Sequence, residues 1–360
     1  MLRRKPRHLP DVWQIQFELC PNRYGVEMML ILRRLLWATL LVWLNSSIAM
    51  GAEQTSAHAA IAACKSTQND VNRLQCYDQL FGTEEAKAPA SLLDYTWDLK
   101  SEHIPLYVFS SYQPNYVLPA RYVDDPNAIP ASPTHPLTPM RKVDPMEMSY
   151  QLSFKNKLLR DVPMTGGGTL WFAYTQKSFW QLYNTSQSSP FRESDYAPEL
   201  ILSLPARNSW SLETTLPLDL KWKMLNLAIL HESNGQSGGL SRSWNRLYAE
   251  FGFDNEHLAV LLRPWMRIPE NGKTDDNPDI TRFMGYGDAR VIYKYEEQYL
   301  SVLGRYSVTG NKGALQADYV FPIAGSLKGY LQGFSGYGNS LIDYNRYQNV
   351  LGLGVLITPW

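Results

Sequence analysis

The chain has no excess charge of either sign, because its 34 Lys and Arg are balanced by 34 Asp and Glu. A nucleic-acid-binding protein draws affinity from surplus cationic side chains set against phosphates, so nucleic acid is not expected among the partners. Charged residues of any sign are scarce, at 19%. Long apolar runs are also lacking: Leu35–Leu44 is about half the roughly twenty residues a membrane-crossing helix needs. The middle and end of the chain show neither a clear linker nor a sustained helical period, which leaves a single large all-β unit. Cysteine is nearly absent, with three in 360 residues.

What the chain has in quantity is aromatic surface. Phe, Trp and Tyr make up 12% of it, including 22 Tyr and 11 Trp, while the mean hydropathy stays negative at −0.31. A transmembrane β-barrel reconciles these values. Each strand is half apolar and half polar, and aromatic girdles sit at both membrane interfaces.

Near the N-terminus, Arg33-Arg34, the run Leu35–Leu44 and the small-residue stretch Asn45–Ala52 have the layout of a secretory signal peptide, a short membrane anchor being the alternative. Translation is expected to start at Met28 or Met29, so residues 1–52 are set apart as extension and leader. Cys20 falls in that part. Cys64 and Cys76 remain, in a helical-looking stretch over 53–82. In an exported chain this pair is expected to form a disulfide; metal binding is the weaker alternative, since no His cluster accompanies it. Residues 83–145, with PNAIPASPTHPLTPMRKVDP, are expected to be an irregular, Pro-rich periplasmic segment.

From Met146 the texture changes to period two, which assigns faces. Met148, Tyr150, Leu152 and Phe154 share one face against Ser149, Gln151, Ser153 and Lys155. The pattern returns over 300–308 and 314–321. It returns again where Leu351, Leu353, Val355 and Ile357 alternate with Gly352 and Gly354 before the terminal Trp360. Residues 146–360, at roughly 18 per strand and connection, give about twelve antiparallel strands. A water-soluble β-sandwich would alternate too and is the competing fold. GFSGYG at 333–338 has no strand-to-helix context, so it is read as strand kinking rather than a phosphate cradle.

The segment LAILHESNGQSGGLSRSWNRLYAEFGF carries the chemistry. On a strand His231 and Ser233 share a face with Cα atoms about 7 Å apart, within reach of a proton transfer. Leu225, Leu227 and Ile229 have the same parity, so both residues extend an apolar row. After the turn, Asn245 begins the matching row of Leu247, Ala249, Phe251 and Phe253. Polar groups are costly on a lipid-facing surface unless they do something there. The reading is a triad acting on lipid: Ser233 attacks an ester carbonyl, His231 takes and returns its proton, and Asn245 accepts from the imidazole N–H. Ser233 is not in a G-x-S-x-G elbow, and Gly235 rules out H-E-x-x-H. An incidental polar hairpin is the bland alternative.

HESNGQSGGLSRSWNRLY, with YTQKSFWQLYN at 174–184, SSPFRE at 188–193, TDDNPDI at 274–280 and SLIDYN at 340–345, closely resembles outer-membrane phospholipase A. The resemblance implies a twelve-stranded barrel in the outer membrane of a Gram-negative bacterium, its active site facing the outer leaflet. It further implies hydrolysis of both acyl esters of phospholipids and lysophospholipids by a homodimer that binds about one Ca2+ per monomer. Carried over by position, Ser233 is the nucleophile, His231 the base, Asn245 its orienter and Gly235 an oxyanion N–H. Calcium would be held by the Gln236 carbonyl, Ser241, and Ser188 of the partner subunit, with Asp276 at a second site. Gln176 would hydrogen-bond across the dimer. The chain departs from the family at Gly238, where the calcium loop has an aspartate, and at Gln236, where it has an arginine. An inactive structural barrel is the alternative these changes leave open.

Overall fold

A computed structural model describes residues 61–66, 69–81, 91–99, 104–136, 139, 142–206, 216–272 and 274–359. The expected leader, the start at Met28, Cys20 and Trp360 lie outside the described residues. Residues up to Lys87 form a unit of their own. Within it, residues 61–65 are helical, α1 spans Asp70–Phe81, and a Cys64–Cys76 disulfide joins the two with Cα atoms 5.4 Å apart.

The second unit, Ala88–Trp360, begins with the short helix α2 (Leu92–Trp97) and continues as strands. These are β1 (Phe109–Ser111), β2 (Asn115–Val123), β3 (Met146–Val162), β4 (Gly168–Trp180), β5 (Phe191–Pro205), β6 (Lys221–Ser233) and β7 (Ser243–Asp254). After them come β8 (Leu258–Ile268), the one-turn helix α3 (Thr281–Met284), β9 (Gly287–Tyr295), β10 (Gln298–Ser307), β11 (Lys312–Ala324), β12 (Leu327–Tyr337) and β13 (Tyr347–Thr358). All pairings are antiparallel, from β2 to β13 each strand pairs with its sequence neighbours, and β13 returns to pair with β2. The sheet has 13 strands, but β1 pairs only with Phe154–Asn156 in the middle of β3, so the closed ring is β2–β13, twelve strands. Closure removes the unpaired edges that an open sheet would leave in hydrocarbon. Among the described residues no helix is long and apolar enough to cross a membrane.

The ring corrects one expectation. Its first strand, Asn115–Val123, lies inside the segment expected to be irregular, and 146–360 supplies only the other eleven. Pro119 hid it. The register slips between Leu118 and Arg121, and an exposed proline at that irregularity breaks the period-two pattern without interrupting a ladder of hydrogen bonds. At the seam, Gly354 is required by close approach: a Cβ there would stand 1.9 Å from the Val117 carbonyl oxygen.

The alternation sets inside and outside as the periodicity predicts. Ser149, Gln151, Ser153 and Lys155 are buried in the lumen, while Leu152, Leu300, Tyr306, Leu315, Leu351, Leu353 and Ile357 are exposed on the outer wall. The lumen is filled rather than open. At one end α2 plugs it: the Leu93 N–H donates to Asp254 Oδ2 at 2.9 Å, Lys223 Nζ meets Asp94 Oδ2 at 2.8 Å, and Lys157 pairs with Asp98. Lys155 Nζ donates to the Thr96 carbonyl and lies 3.8 Å from the Trp97 ring centroid, a contact of roughly 1–2 kcal/mol where water is excluded. At the other end the β12–β13 loop folds inward, burying Leu341, Ile342, Asp343 and Tyr344.

Candidate active site

The site sits at that second end, on the outer wall where β6 passes into β7. Along β6, Met224, Asn226, Ala228 and Leu230 point inward and are buried, so Leu227, Ile229, His231 and Ser233 point out. On β7, Trp244, Arg246 and Tyr248 are buried and Asn245 and Leu247 face out. The register places His231 opposite Asn245 and Ser233 opposite Ser243. His231 Nδ1 is 2.8 Å from Asn245 Oδ1.

The inward residues hold this hairpin rigid. Glu232 accepts from Trp244 Nε1 at 3.0 Å and pairs with Arg246. Asn234, buried at the start of the turn, accepts from the N–H of Arg242 at 3.0 Å and of Gln236 at 3.3 Å, and donates to Glu193 Oε1 at 3.2 Å. Glu193 in turn accepts from the Ile342 N–H at 2.8 Å, tying the turn to the inward-folded loop. Beneath lies an ion network. Glu147 receives Arg121, Arg192 and Gln181, and Arg192 also reaches Asp343 at 2.8 Å. Gly235 has φ +62°, and a Cβ there would meet the Tyr196 ring at 3.1 Å, so the turn that presents its N–H needs glycine.

The oxygen-rich side of the turn holds Ser241, whose hydroxyl donates to Asp276 Oδ2 at 2.6 Å. The Asp276 backbone is gripped by Ser132 at 2.5 Å, and His135 Nε2 approaches its carboxylate at 3.7 Å. Gly238 also has positive φ, +62°, with open space around the Cβ direction. Among the described residues no group of three or more His, Cys, Asp or Glu is gathered to hold a metal. The donors at the turn are oxygens, which suits a hard cation, but they amount to one carboxylate with a hydroxyl. Ser188 is exposed on the β4–β5 loop, following a 3₁₀ turn over Thr185–Gln187. Gln176 is half-buried on β4; its Oε1 accepts from the Tyr174 hydroxyl at 3.1 Å and its Nε2 donates to Ser178 at 3.0 Å. The amide therefore has partners within its own strand.

Sequence reasoning missed two residues here. Asn234 points inward, away from the apolar row, so parity gives no sign of it. Glu270 lies beyond the end of β8, outside any alternating pattern, yet Asn245 Nδ2 donates to its Oε1 at 3.1 Å. The register could have found it: Asn245 pairs with Ile268, and Glu270 lies two residues further on the same parity.

Comparison with known proteins bears on this geometry. The family model described as phospholipase A1 matches residues 93–357. A Neisseria meningitidis serogroup B protein assigned as a phospholipase A1 is 41% identical over 281 residues, 76% of this chain and 71% of that protein. The Salmonella typhi outer membrane phospholipase dimer with bound calcium has a TM-score of 0.61 at 31% identity, covering 74% of this chain and 97% of that one. An active-site asparagine-to-alanine mutant of Escherichia coli outer membrane phospholipase A has a TM-score of 0.60 at 32% identity, covering 72% and 95%. The match spans the whole barrel and the hairpin that carries His231, Ser233 and Asn245, and the chain belongs to the phospholipase A1 family.

Proposed function

We propose that the chain is an outer-membrane phospholipase that hydrolyses acyl esters of phospholipids and lysophospholipids, of A1 and A2 type, directly from the surrounding lipid. The observation that carries this reading is the 2.8 Å contact between His231 and Asn245 on the apolar outer wall, with Ser233 two residues further on the same face. A polar chain of this kind facing hydrocarbon is unfavourable without a task. Connections at the catalytic end, 124–145, 181–190, 234–242, 269–286 and 338–346, are longer, except for 308–311, than the turns 163–167, 255–257, 296–297 and 325–326 opposite, where 206–220 is the one long connection. That asymmetry supports placing the site at the outer leaflet.

In the reaction, Ser233 Oγ attacks the carbonyl carbon while its proton passes to the imidazole of His231. The imidazolium then protonates the leaving alcohol, and water repeats the sequence on the acyl-enzyme. Asn245 holds the ring by accepting from Nδ1–H. The Gly235 N–H stabilises the carbonyl oxygen as it becomes negative. Calcium, when bound, would add positive charge near that oxygen. The Gln236 carbonyl, the Ser241 hydroxyl and Ser188 of the partner subunit are the groups that would hold it, with Asp276 at a second site, which makes a homodimer the active form. Asp276, already on Ser241, supplies a carboxylate beside a loop that has glycine at 238.

Gly235→Ala is expected to lower kcat about tenfold with little change in KM, because an L-residue at positive φ costs about 1–2 kcal/mol and turns the N–H away from the oxyanion. Steady-state kinetics on the folded variant check this; unchanged kcat would remove Gly235 from the machinery. The test of the whole reading is release of fatty acid from phospholipid in detergent micelles, in calcium and then in excess chelator. Release that chelator stops and calcium restores is the expected result. A folded barrel that releases nothing in either condition supports a passive structural role instead. Release that persists in chelator removes calcium from the proposal.

A further inference from the structure

The hydrogen bond between Asn245 and His231 is ambiguous on its own. A carboxamide has an acceptor end and a donor end that nearly superimpose, and only one orientation lets it accept from Nδ1–H. With the amide reversed, the NH2 would face Nδ1, the ring hydrogen would move to Nε2, and the nitrogen that must take the serine proton would already carry one. Water, which both donates and accepts, does not settle the choice. Another side chain does: Asn245 Nδ2 is 3.1 Å from Glu270 Oε1.

We infer that Glu270 is a positioning residue for this triad, fixing the orientation of the Asn245 amide and, through it, the tautomer of His231. The inference rests on the triad proposed above. An ionised carboxylate only accepts, so it can take only the NH2 end of the amide, which leaves Oδ1 for the imidazole. The charge also acts one residue out from the ring. It polarises the amide and favours the imidazolium formed when Ser233 is deprotonated, while the ring itself touches a neutral partner.

Glu270 is partly buried just past the end of β8, and the nearby cation, Arg267, is engaged elsewhere: its Nη2 donates to Asp275 Oδ1 at 2.6 Å and its Nη1 to the Pro278 carbonyl at 3.1 Å. Burial and the neighbouring Asp275 carboxylate push the Glu270 carboxyl above its ordinary range, with Arg267 and the Asn245 amide opposing them. The other charged neighbour is Asp276.

The test compares the parent with Glu270→Ala, Glu270→Gln, Asn245→Ala and the Asn245→Ala/Glu270→Ala double variant. The full-length chain is refolded in detergent, with Ser233→Ala as blank. Glu270→Ala is expected to lower kcat roughly tenfold, the usual scale for a residue that orients an active-site ligand through another, and to leave KM within about twofold. The acid limb of its kcat/KM profile should move to lower pH, because the lost charge favoured the protonated ring. Glu270→Gln keeps an acceptor without the charge, so its kcat should lie between parent and alanine variant with the same displaced limb. In the Asn245→Ala background the Glu270 substitution should have no further effect.

A kcat for both Glu270 variants within twofold of the parent would overturn the inference. So would a full tenfold loss repeated on top of Asn245→Ala with the acid limb unmoved, which is what a merely structural role gives. If Glu270→Ala does not fold, the isosteric glutamine variant decides by the same two criteria. A folded but inactive parent would overturn the triad together with this inference. An active parent silenced by Ser233→Ala, with both Glu270 variants unaffected, would overturn this inference alone.

Discussion

Ser233→Ala will remove ester hydrolysis, with a loss of roughly 10⁴-fold or more in kcat, while the protein keeps the heat-modifiable gel migration of a folded barrel. The size follows from the chemistry: a nucleophile and its base act as one unit, so removing either leaves only the rate that oxyanion stabilisation and binding supply. His231→Ala should therefore fall to nearly the same floor, and the double variant should fall little further. The fold is spared because Ser233 and His231 face out from the wall and form no part of the network that closes the catalytic end. Fatty-acid release measured beside the gel shift checks the prediction. Retained hydrolysis in either folded variant would place the chemistry elsewhere.

Glu147→Ala should have the opposite character, a large loss of stability from a residue that never meets substrate. Glu147 is 1% exposed and receives Arg121, both Nε and Nη2 of Arg192, and Gln181 Nε2. Its removal leaves two guanidinium groups in the interior with their main counter-charge gone. Breaking one partner out of a buried pair typically costs about 3–5 kcal/mol, far more than the pair contributes relative to apolar residues. Arg192 also holds Asp343, on the loop whose Ile342 N–H is tied to Glu193 and so to Asn234 beside Ser233. The substitution should therefore lower the urea midpoint of barrel unfolding and loosen the catalytic turn. An unchanged midpoint would show that this network is not what holds the loop inside the lumen.

The barrel was legible in the sequence wherever a strand keeps its alternation. Met148 to Lys155 and Leu351 to Ile357 sort into outer and inner rows by parity alone, because side-chain direction in a strand depends on nothing but position. The first strand was not legible, since the slip at Pro119 disguises a strand that is half of the closing seam. The proposed triad stands out for the same reason as the barrel: polar residues at 231, 233 and 245 interrupt the apolar row that carries them. Asn234, Glu147 and Glu270 do not, because their importance lies in partners brought together by closure. Asn234 meets Glu193 across 41 residues of chain, and no local pattern announces a contact of that span. Gln176 offers a different lesson. A polar side chain on the outer wall reads as a dimer contact, yet Tyr174 and Ser178 already satisfy its amide, so pairing across a dimer would exchange hydrogen bonds rather than create the first ones.

The central claim is that a lipid-facing serine is the nucleophile. The most direct test is to treat the folded, calcium-loaded protein in micelles with a long-chain alkyl sulfonyl fluoride and locate the covalent adduct by peptide mass spectrometry. One adduct per chain, on Ser233, forming in step with loss of hydrolysis and absent from His231→Ala, is the predicted result. Complete loss of hydrolysis with the adduct on another residue, or full hydrolysis with Ser233 stoichiometrically blocked, would contradict the account.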